Sequence, residues 1–257
     1  MNGAYALRAF EFWLAQYRRV WRGTVVTSIV NPVFYLGALG VGLGTLVNRS
    51  TTTPGGVEYI AFVAPGVLAA TAMQVATVEA SWPVLGSVKW TRVYYAMIAT
   101  PLGVRDVMLG HQLFIAMRVL SSSAIYLAII AAFGAIRSPL AVFAWPACLL
   151  IGIAFSAPMS GYAVTRERDA AFTAVMRFAI VPMFLFSGTF FPVSRLPVPL
   201  EQLAYVTPLW HGVDLCRGLT LGTIGAAAAV GHVAYLLAWV VGGLAVASWG
   251  YRKRLLK

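Results

Sequence analysis

Six apolar stretches of 18 to 26 residues run through the chain, at 24–47, 57–82, 119–136, 139–164, 170–191 and 225–249. Each is close to or above the roughly 20 apolar residues that a helix needs to cross the hydrocarbon core of a bilayer. Asn48–Gly56 reads as a polar loop, Arg137-Ser138-Pro139 as a tight turn and Arg166-Glu167-Arg168-Asp169 as a charged turn between them. The composition agrees: 60% of residues are hydrophobic and 11% charged, against about 45–50% and 25% in soluble domains. Disorder is excluded by the same hydrophobicity. The expectation is an all-α integral membrane protein forming one domain over 1–257.

Nineteen Lys and Arg face eight Asp and Glu, a net charge of +11. In so apolar a chain this excess sets orientation rather than marking a nucleic-acid partner. Arg8, Arg18, Arg19, Arg22, Lys89, Arg92, Arg105, Arg118, Arg166, Arg168, Arg177, Arg252, Lys253, Arg254 and Lys257 fall on one side of a six-crossing topology. Only Arg49, Arg137, Arg195 and Arg217 fall on the other. That bias puts both termini in the cytoplasm, as an even number of crossings requires. The arginines ahead of the first run, with Glu11 among them, make it a retained anchor rather than a cleaved signal. Cys148 and Cys216 lack metal-type spacing.

Three stretches do not fit simple spans. Over 4–22, Leu7, Phe10, Leu14, Tyr17 and Trp21 form a stripe beside Arg8, Glu11, Arg18 and Arg22. This reads as an amphipathic helix on the membrane surface, or as a solvated helix packed on the domain. Residues 83–107 form a long loop too aromatic for disorder. Residues 192–223 are apolar, yet broken by prolines and by Glu201 and Asp214. Short helices dipping into the outer leaflet satisfy that composition, with a surface loop as the alternative. The tail is 250–257.

Enzymatic motifs are missing. Lys89, Lys253 and Lys257 are the only lysines and none follows a glycine, so no phosphate-binding loop exists in this sequence. His111, His211 and His232 are far apart and carry no ligand spacing. Polar residues inside spans are functional candidates because their burial is costly. Thr71, Gln74, Thr77 and Ser81 fall within about 120° of one another on the second span at 100° per residue. They line a translocation path or bond neighbouring helices. Glu79 is expected to pair with Arg118 or Arg177. His232, Tyr235 and Trp239 share a face of the sixth span, read as an aromatic contact in preference to a proton relay. Gly40-x-x-x-Gly44 and Gly152-x-x-x-Ser156-x-x-x-Ser160 have the spacing of close helix contacts. Pro32, Pro146, Pro158 and Pro182 are expected to kink the first, fourth and fifth spans.

Three motifs resemble the type-2 ABC exporter permease family, most closely its nodulation-factor (NodJ-like) and drug-resistance branch. Phe62-Val63-Ala64-Pro65-Gly66-Val67-Leu68 is similar to the family's F-x-x-P-G-hydrophobic opening of the second helix. Ala99-Thr100-Pro101-Leu102 with Arg105-Asp106-Val107 looks like its A-T-P-L-x-x-x-D element. Leu185-Phe186-Ser187-Gly188-Thr189-Phe190-Phe191-Pro192 is similar to the signature ending its fifth helix, with Pro208-Leu209 and His211 at matching spacing. The resemblance covers nearly the whole chain in order.

It implies an amphipathic interface helix at 4–22 and a cytoplasmic coupling helix within 83–107 that docks on a separate ATPase. Trp90, Arg92, Ala99, Thr100, Pro101, Leu102, Arg105 and Asp106 would carry that contact. Relatives often have an acidic residue where Tyr95 stands, which leaves Tyr95 out of it. Outer re-entrant helices would fill 192–223, with Ser187, Gly188, Phe190, Phe191, Pro192 and His211 at an outer gate. The implied assembly is two permease chains, identical or related, and two ABC ATPase subunits in the bacterial inner membrane. ATP and Mg would be bound by the ATPases and no cofactor by this chain. The implied activity is export of a lipid-like or amphiphilic cargo. The competing expectations are an ATP-independent secondary transporter or channel, for which repeats are missing and Glu79 is the one intramembrane carboxylate, and a lipid-modifying membrane enzyme.

Overall fold

A computed structural model describes residues 3–47 and 57–256. The polar loop expected at 48–56 lies outside the described residues, as do the first two residues and the last. All secondary structure among the described residues is helical. An opening helix α1 (Gly3–Tyr17) is followed by α2 (21–47), α3 (Tyr59–Glu79), the short α4 (Trp82–Lys89) and α5 (Val93–Ile98), and the long α6 (Val104–Ala132). Then come α7 (Pro139–Val164), α8 (Ala170–Phe186), α9 (Val198–Val206), α10 (Pro208–Leu221) and α11 (Ala226–Leu255).

Among the described residues, four helical stretches are long and apolar enough to cross a membrane: α3 with α4, α6, α7 and α11. The other two expected spans correspond to α2 and α8. With 17 residues, α8 reaches roughly 25 Å at 1.5 Å per residue, short of a hydrocarbon core of about 30 Å.

Helix α3 is the centre of the bundle: Ala61 to Ala70 are all buried. A helix apolar on every face belongs in such a place. By contrast, α8 and α11 turn large apolar side chains outward, among them Phe178 (82% exposed), Val230 and Val241. Glycines set the closest approaches. A Cβ on Gly161 of α7 would meet the backbone of Ala247 in α11 at 2.8 Å, and one on Gly110 of α6 would meet the Cβ of Ala9 in α1 at 2.4 Å. Gly152 faces Val119 of α6, while Ser156 and Ser160 bond Gln112 of α6, so the small-residue stripe of α7 is a helix-packing face. The packing of Gly40 lies outside the described residues.

Several boundaries differ from the sequence expectation. Helix α6 begins at Val104 rather than 119. Arg105, Asp106, His111, Gln112 and Arg118 hide its first half from an apolar window, yet His111, Gln112 and Arg118 are buried with side-chain partners. The stretch expected to be a loop from 83 starts as helix α4, with Pro83 in its first turn and Val84 to Val88 buried. Helix α8 stops at Phe186 instead of 191, and Gly188 turns the chain with φ +80°. The tail from 250 continues α11 to Leu255, with Arg252, Lys253 and Arg254 favourably placed at a helix C-terminus.

The first helix ends at Tyr17, so Trp21 and Arg22 belong to α2. Its buried face is Ala6, Ala9 and Trp13, whereas Leu7 and Trp21 of the expected stripe are exposed. Ordinary helix geometry gives way at two places. The turns Leu36–Leu43 in α2 and Met176–Ile180 in α8 are π-helical, next to Pro32 and Pro182. Pro158 lies inside α7, while Pro146 sits in its first α-helical turn, where a missing N–H breaks no bond.

Candidate functional site

Polar side chains gather at the two ends of the bundle. At the end where α1, α5 and the last turns of α11 meet (the terminal end), α5 lies between two turns. Arg92 enters it with a left-handed φ of 53° and Ala99 closes it. Trp90, Arg92, Ala99, Thr100, Pro101 and Arg105 are exposed here, with Leu102 and Asp106 half-buried. The Thr100 hydroxyl donates to the Met97 carbonyl at 2.6 Å. The Asp106 carboxylate accepts from the Gly103 amide at 3.0 Å and caps α6. Thus the A-T-P-L-x-x-x-D element folds the turn between α5 and α6 and leaves its prolyl and arginyl positions outward. Beside it, Lys89, Arg92, Tyr95, Glu167 and Arg254 line a polar cleft of about 360 Å³. Lys89 donates to the Glu167 carbonyl at 2.7 Å and Arg254 pairs with the Glu167 carboxylate at 2.5 Å.

Beneath this surface lies an aromatic and polar cluster that sequence spacing does not reveal. Tyr94 of α5 is fully buried. Its hydroxyl bonds His111 Nδ1 of α6 and the Tyr251 hydroxyl of α11, the latter at 3.1 Å. Trp13 of α1 stacks on His111 with ring centroids 4.1 Å apart and meets Tyr94 edge-on. Burial pushes the Tyr94 hydroxyl well above the usual phenol range, so it stays protonated.

Glu79 pairs with Arg118 at 3.1 Å, and Arg118 also donates to the Tyr17 hydroxyl at 3.1 Å and covers its ring. Arg177 is exposed on α8 and does not share this pair. The four residues of the second-span stripe divide. Thr77 and Ser81 are buried and return their hydroxyls to the carbonyls of Met73 and Thr77, whereas Thr71 and Gln74 are half-buried. Thr77 also borders an apolar cleft of about 470 Å³ under α8, walled by Phe155 and Met159 of α7, Met183 of α8 and Trp239 of α11.

At the opposite, far end, the turn after α8 is tied to α3 and α10 by Arg217. Its guanidinium donates to the Phe62 carbonyl at 3.0 Å and the Gly188 carbonyl at 2.6 Å, and lies 3.8 Å over the Phe62 ring. Desolvation lowers its pKa to about 10, which leaves it charged at neutral pH. Ser187 bonds the Thr207 hydroxyl at 3.0 Å, and the Phe190 carbonyl accepts from Tyr59. Phe190, Phe191 and Pro192 are half-buried.

Folding brings His211 and His232 together, their Nδ1 atoms 2.9 Å apart. Asp214 lies 3.1 Å from His232 Nε2, and Tyr235 stacks on His211 at 3.8 Å. Trp239, one turn further along the same helix, is exposed and walls the apolar cleft. The His232 hydrogen bond holds the Asp214 carboxyl below the usual carboxylate range, and desolvation lowers His211. Among the described residues no group of three or more His, Cys, Asp or Glu is arranged to hold a metal.

Tyr94, Trp13, Tyr251 and Arg217 are the residues that sequence reasoning missed. Arg217 had one available signal, as a lone cation in a long apolar segment. The aromatic cluster had none, because its members lie on four elements.

The sequence matches the ABC-2 type transporter family over residues 6–221. It is 33% identical to Nodulation protein J of Rhizobium leguminosarum bv. viciae over 255 residues, covering 95% of each chain. Identity to Nodulation protein J of Rhizobium leguminosarum bv. trifolii is 33% over 219 residues, covering 82% of this chain and 81% of the relative. Against Nodulation protein J of Sinorhizobium fredii it is 30% over 236 residues, covering 89% and 88%.

Proposed function

Because the chain belongs to the ABC-2 type transporter family, a family of multi-pass membrane subunits rather than catalytic enzymes, we propose that it is the permease of an ATP-driven exporter. The observation that carries this reading is the terminal-end surface around α5. A short helix flanked by exposed Trp90, Arg92 and Ala99–Pro101, in a sequence without a phosphate-binding loop, fits a chain that receives work from another subunit. Two ABC ATPases, holding ATP and Mg, dock on α5 and its flanking turns. ATP binding closes them, and the movement passes into the helices.

The permease works as a pair with a second, identical or related chain in the bacterial inner membrane. It makes six crossings, formed by α2, α3 with α4, α6, α7, α8 and α11, with both termini cytoplasmic. Helix α1 lies along the inner interface, and α9 and α10 are the outer re-entrant helices. Ser187, Gly188, Phe190–Pro192 and His211 belong to the outer gate. Thr71 and Gln74 face the translocation path, with Thr77 and Ser81 held as its backbone-bonded continuation. Charge bias and the sorting of the Glu58–Arg137 pair to one end and Glu167–Arg254 to the other support that topology.

The cargo is lipid-like or amphiphilic: a glycolipid, a lipo-oligosaccharide or a hydrophobic drug. Support comes from the similarity to Nodulation protein J and from the apolar cleft under α8. Engagement of Glu79 by Arg118 removes the carboxylate that an ion-coupled carrier would use. The test is purification of the tagged chain from its native membrane. An ABC ATPase is expected to copurify, with ATP-dependent movement of a bound lipid, identified by mass spectrometry, in proteoliposomes. Movement that persists after loss of the ATPase's catalytic glutamate overturns the reading.

A further inference from the structure

A six-residue helix cannot hold its own conformation in isolation, since nucleation is unfavourable and few backbone bonds follow it. Helix α5 is therefore held by its side chains. Only Tyr94 and Met97 of its residues are buried, and Tyr94 alone carries a polar group into the bundle. That hydroxyl reaches two helices, with His111 of α6 on one side and Tyr251 of α11 on the other. The ring meets Trp13, whose stack on His111 adds α1.

One hydroxyl has one proton and two lone pairs. Its proton serves one of the two neighbours and its lone pairs the other, so the single hydroxyl links α6 and α11 through α5. A second buried set lies further along α6, where Ser160 of α7 accepts from Gln112 Nε2 at 2.8 Å and donates to the Ala157 carbonyl. Ser156 donates to Gln112 Oε1 at 2.7 Å, which ties α7 back to α6. Linked buried hydrogen bonds of this kind fix one relative arrangement of their helices.

We propose that Tyr94 is the positioning residue through which displacement of α5 reaches α1, α6 and α11 together. This rests on the reading that α5 docks an ATPase. The hydroxyl transmits and the ring packs, so Tyr94→Phe separates the two roles by keeping the ring and deleting both bonds. Tyr251→Phe deletes one bond and leaves Tyr94–His111 intact.

The experiment uses the whole permease–ATPase complex in nanodiscs. Val198→Cys, at an exposed position of α9, is labelled with a membrane-impermeant maleimide, against a background of buried Cys148 and Cys216. ATP is expected to change the labelling rate by about fivefold or more, the scale of ordinary coupling between distant sites. Adding Tyr94→Phe is expected to bring that ratio to unity while ATPase copurification and ATP hydrolysis stay at the parent level. Tyr251→Phe is expected to give an intermediate ratio. A Tyr94→Phe complex that keeps the full ATP-dependent change overturns the proposal, as does one that no longer retains the ATPase, which would make Tyr94 a docking support. Failure of the Val198→Cys parent to copurify an ATPase or to respond to ATP overturns the exporter reading itself.

Discussion

Gly250 of α11 lies so close to Gly161 of α7 that a Cβ on Gly250 would stand 2.5 Å from the Gly161 carbonyl oxygen. The neighbour is backbone and has no rotamer with which to move aside. Together with Gly243, whose Cβ would meet Pro158 at 2.6 Å, this contact sets the approach of α7 and α11. Gly250→Ala is expected to destabilise the fold by about 1–3 kcal/mol, as overpacking does. Thermal unfolding in detergent checks it. Gly242→Ala on the same helix, with nothing within 4 Å, is expected to be neutral or slightly stabilising.

The Glu79–Arg118 pair predicts an asymmetry. Removing one partner leaves the other charge in a mostly buried site, so Glu79→Ala is expected to cost about 3–5 kcal/mol. Replacing both, as in Glu79→Leu with Arg118→Met, is expected to recover most of that loss. Arg177→Ala, at an exposed position away from the pair, is expected to change stability by less than about 0.5 kcal/mol. Denaturant titration of the three variants and the wild type in one detergent tests all three expectations.

The helical class and the approximate positions of the apolar stretches were legible because hydropathy acts locally along the chain. Boundaries failed where buried polar groups find partners far away in sequence. His111, Gln112 and Arg118 read as a cytoplasmic approach to a span, yet each finds a side-chain partner inside, in Tyr94, Ser156 with Ser160, or Glu79. The first helix differs in another way. Periodicity placed Leu7 and Trp21 on an apolar stripe facing the membrane surface or the domain, whereas the face packed on the bundle belongs to small residues, since Ala9 is what fits against Gly110. At the terminal end, motif spacing located the exposed turn from Ala99 to Asp106. It left out Tyr94, which no motif contains. At the far end, the residues of the turn after α8 were legible as a motif, whereas Arg217, which holds their carbonyls, registered only as one of four outer cations.

Arg217 predicts a non-conservative Arg-to-Lys change. Its guanidinium serves the Phe62 and Gly188 carbonyls at once and stacks on the Phe62 ring. A lysine ammonium has neither the planar fork nor the flat face. Arg217→Lys is expected to release the turn at 187–192, raising its amide hydrogen exchange severalfold while α6 and α7 keep their protection. Unchanged exchange at 187–192 would show that Ser187–Thr207 and Tyr59–Phe190 suffice to hold the turn.

The His211–His232–Asp214 group predicts a pH dependence whose sign is fixed. Desolvation by burial, together with neighbouring His232, lowers the pKa of His211 in the folded chain, against about 6.5 when unfolded. The unfolded state therefore binds the proton more readily, and stability falls as pH drops from about 6.5 towards the folded value. Asp214, whose carboxyl is lowered by the His232 hydrogen bond, contributes stability above about pH 3.9 that is lost only as pH falls through its folded value. A titration between pH 7.5 and 5.5 thus reads the histidines, His211 among them, and leaves Asp214 silent. The melting temperature of the wild-type chain is expected to fall across that interval, and His211→Gln, which cannot take up the proton, is expected to remove part of the fall. Asp214→Ala is expected to lower the melting temperature at both pH values, because it removes the acceptor of His232. A pH profile of His211→Gln that parallels the wild type would place the acid sensitivity elsewhere in the chain.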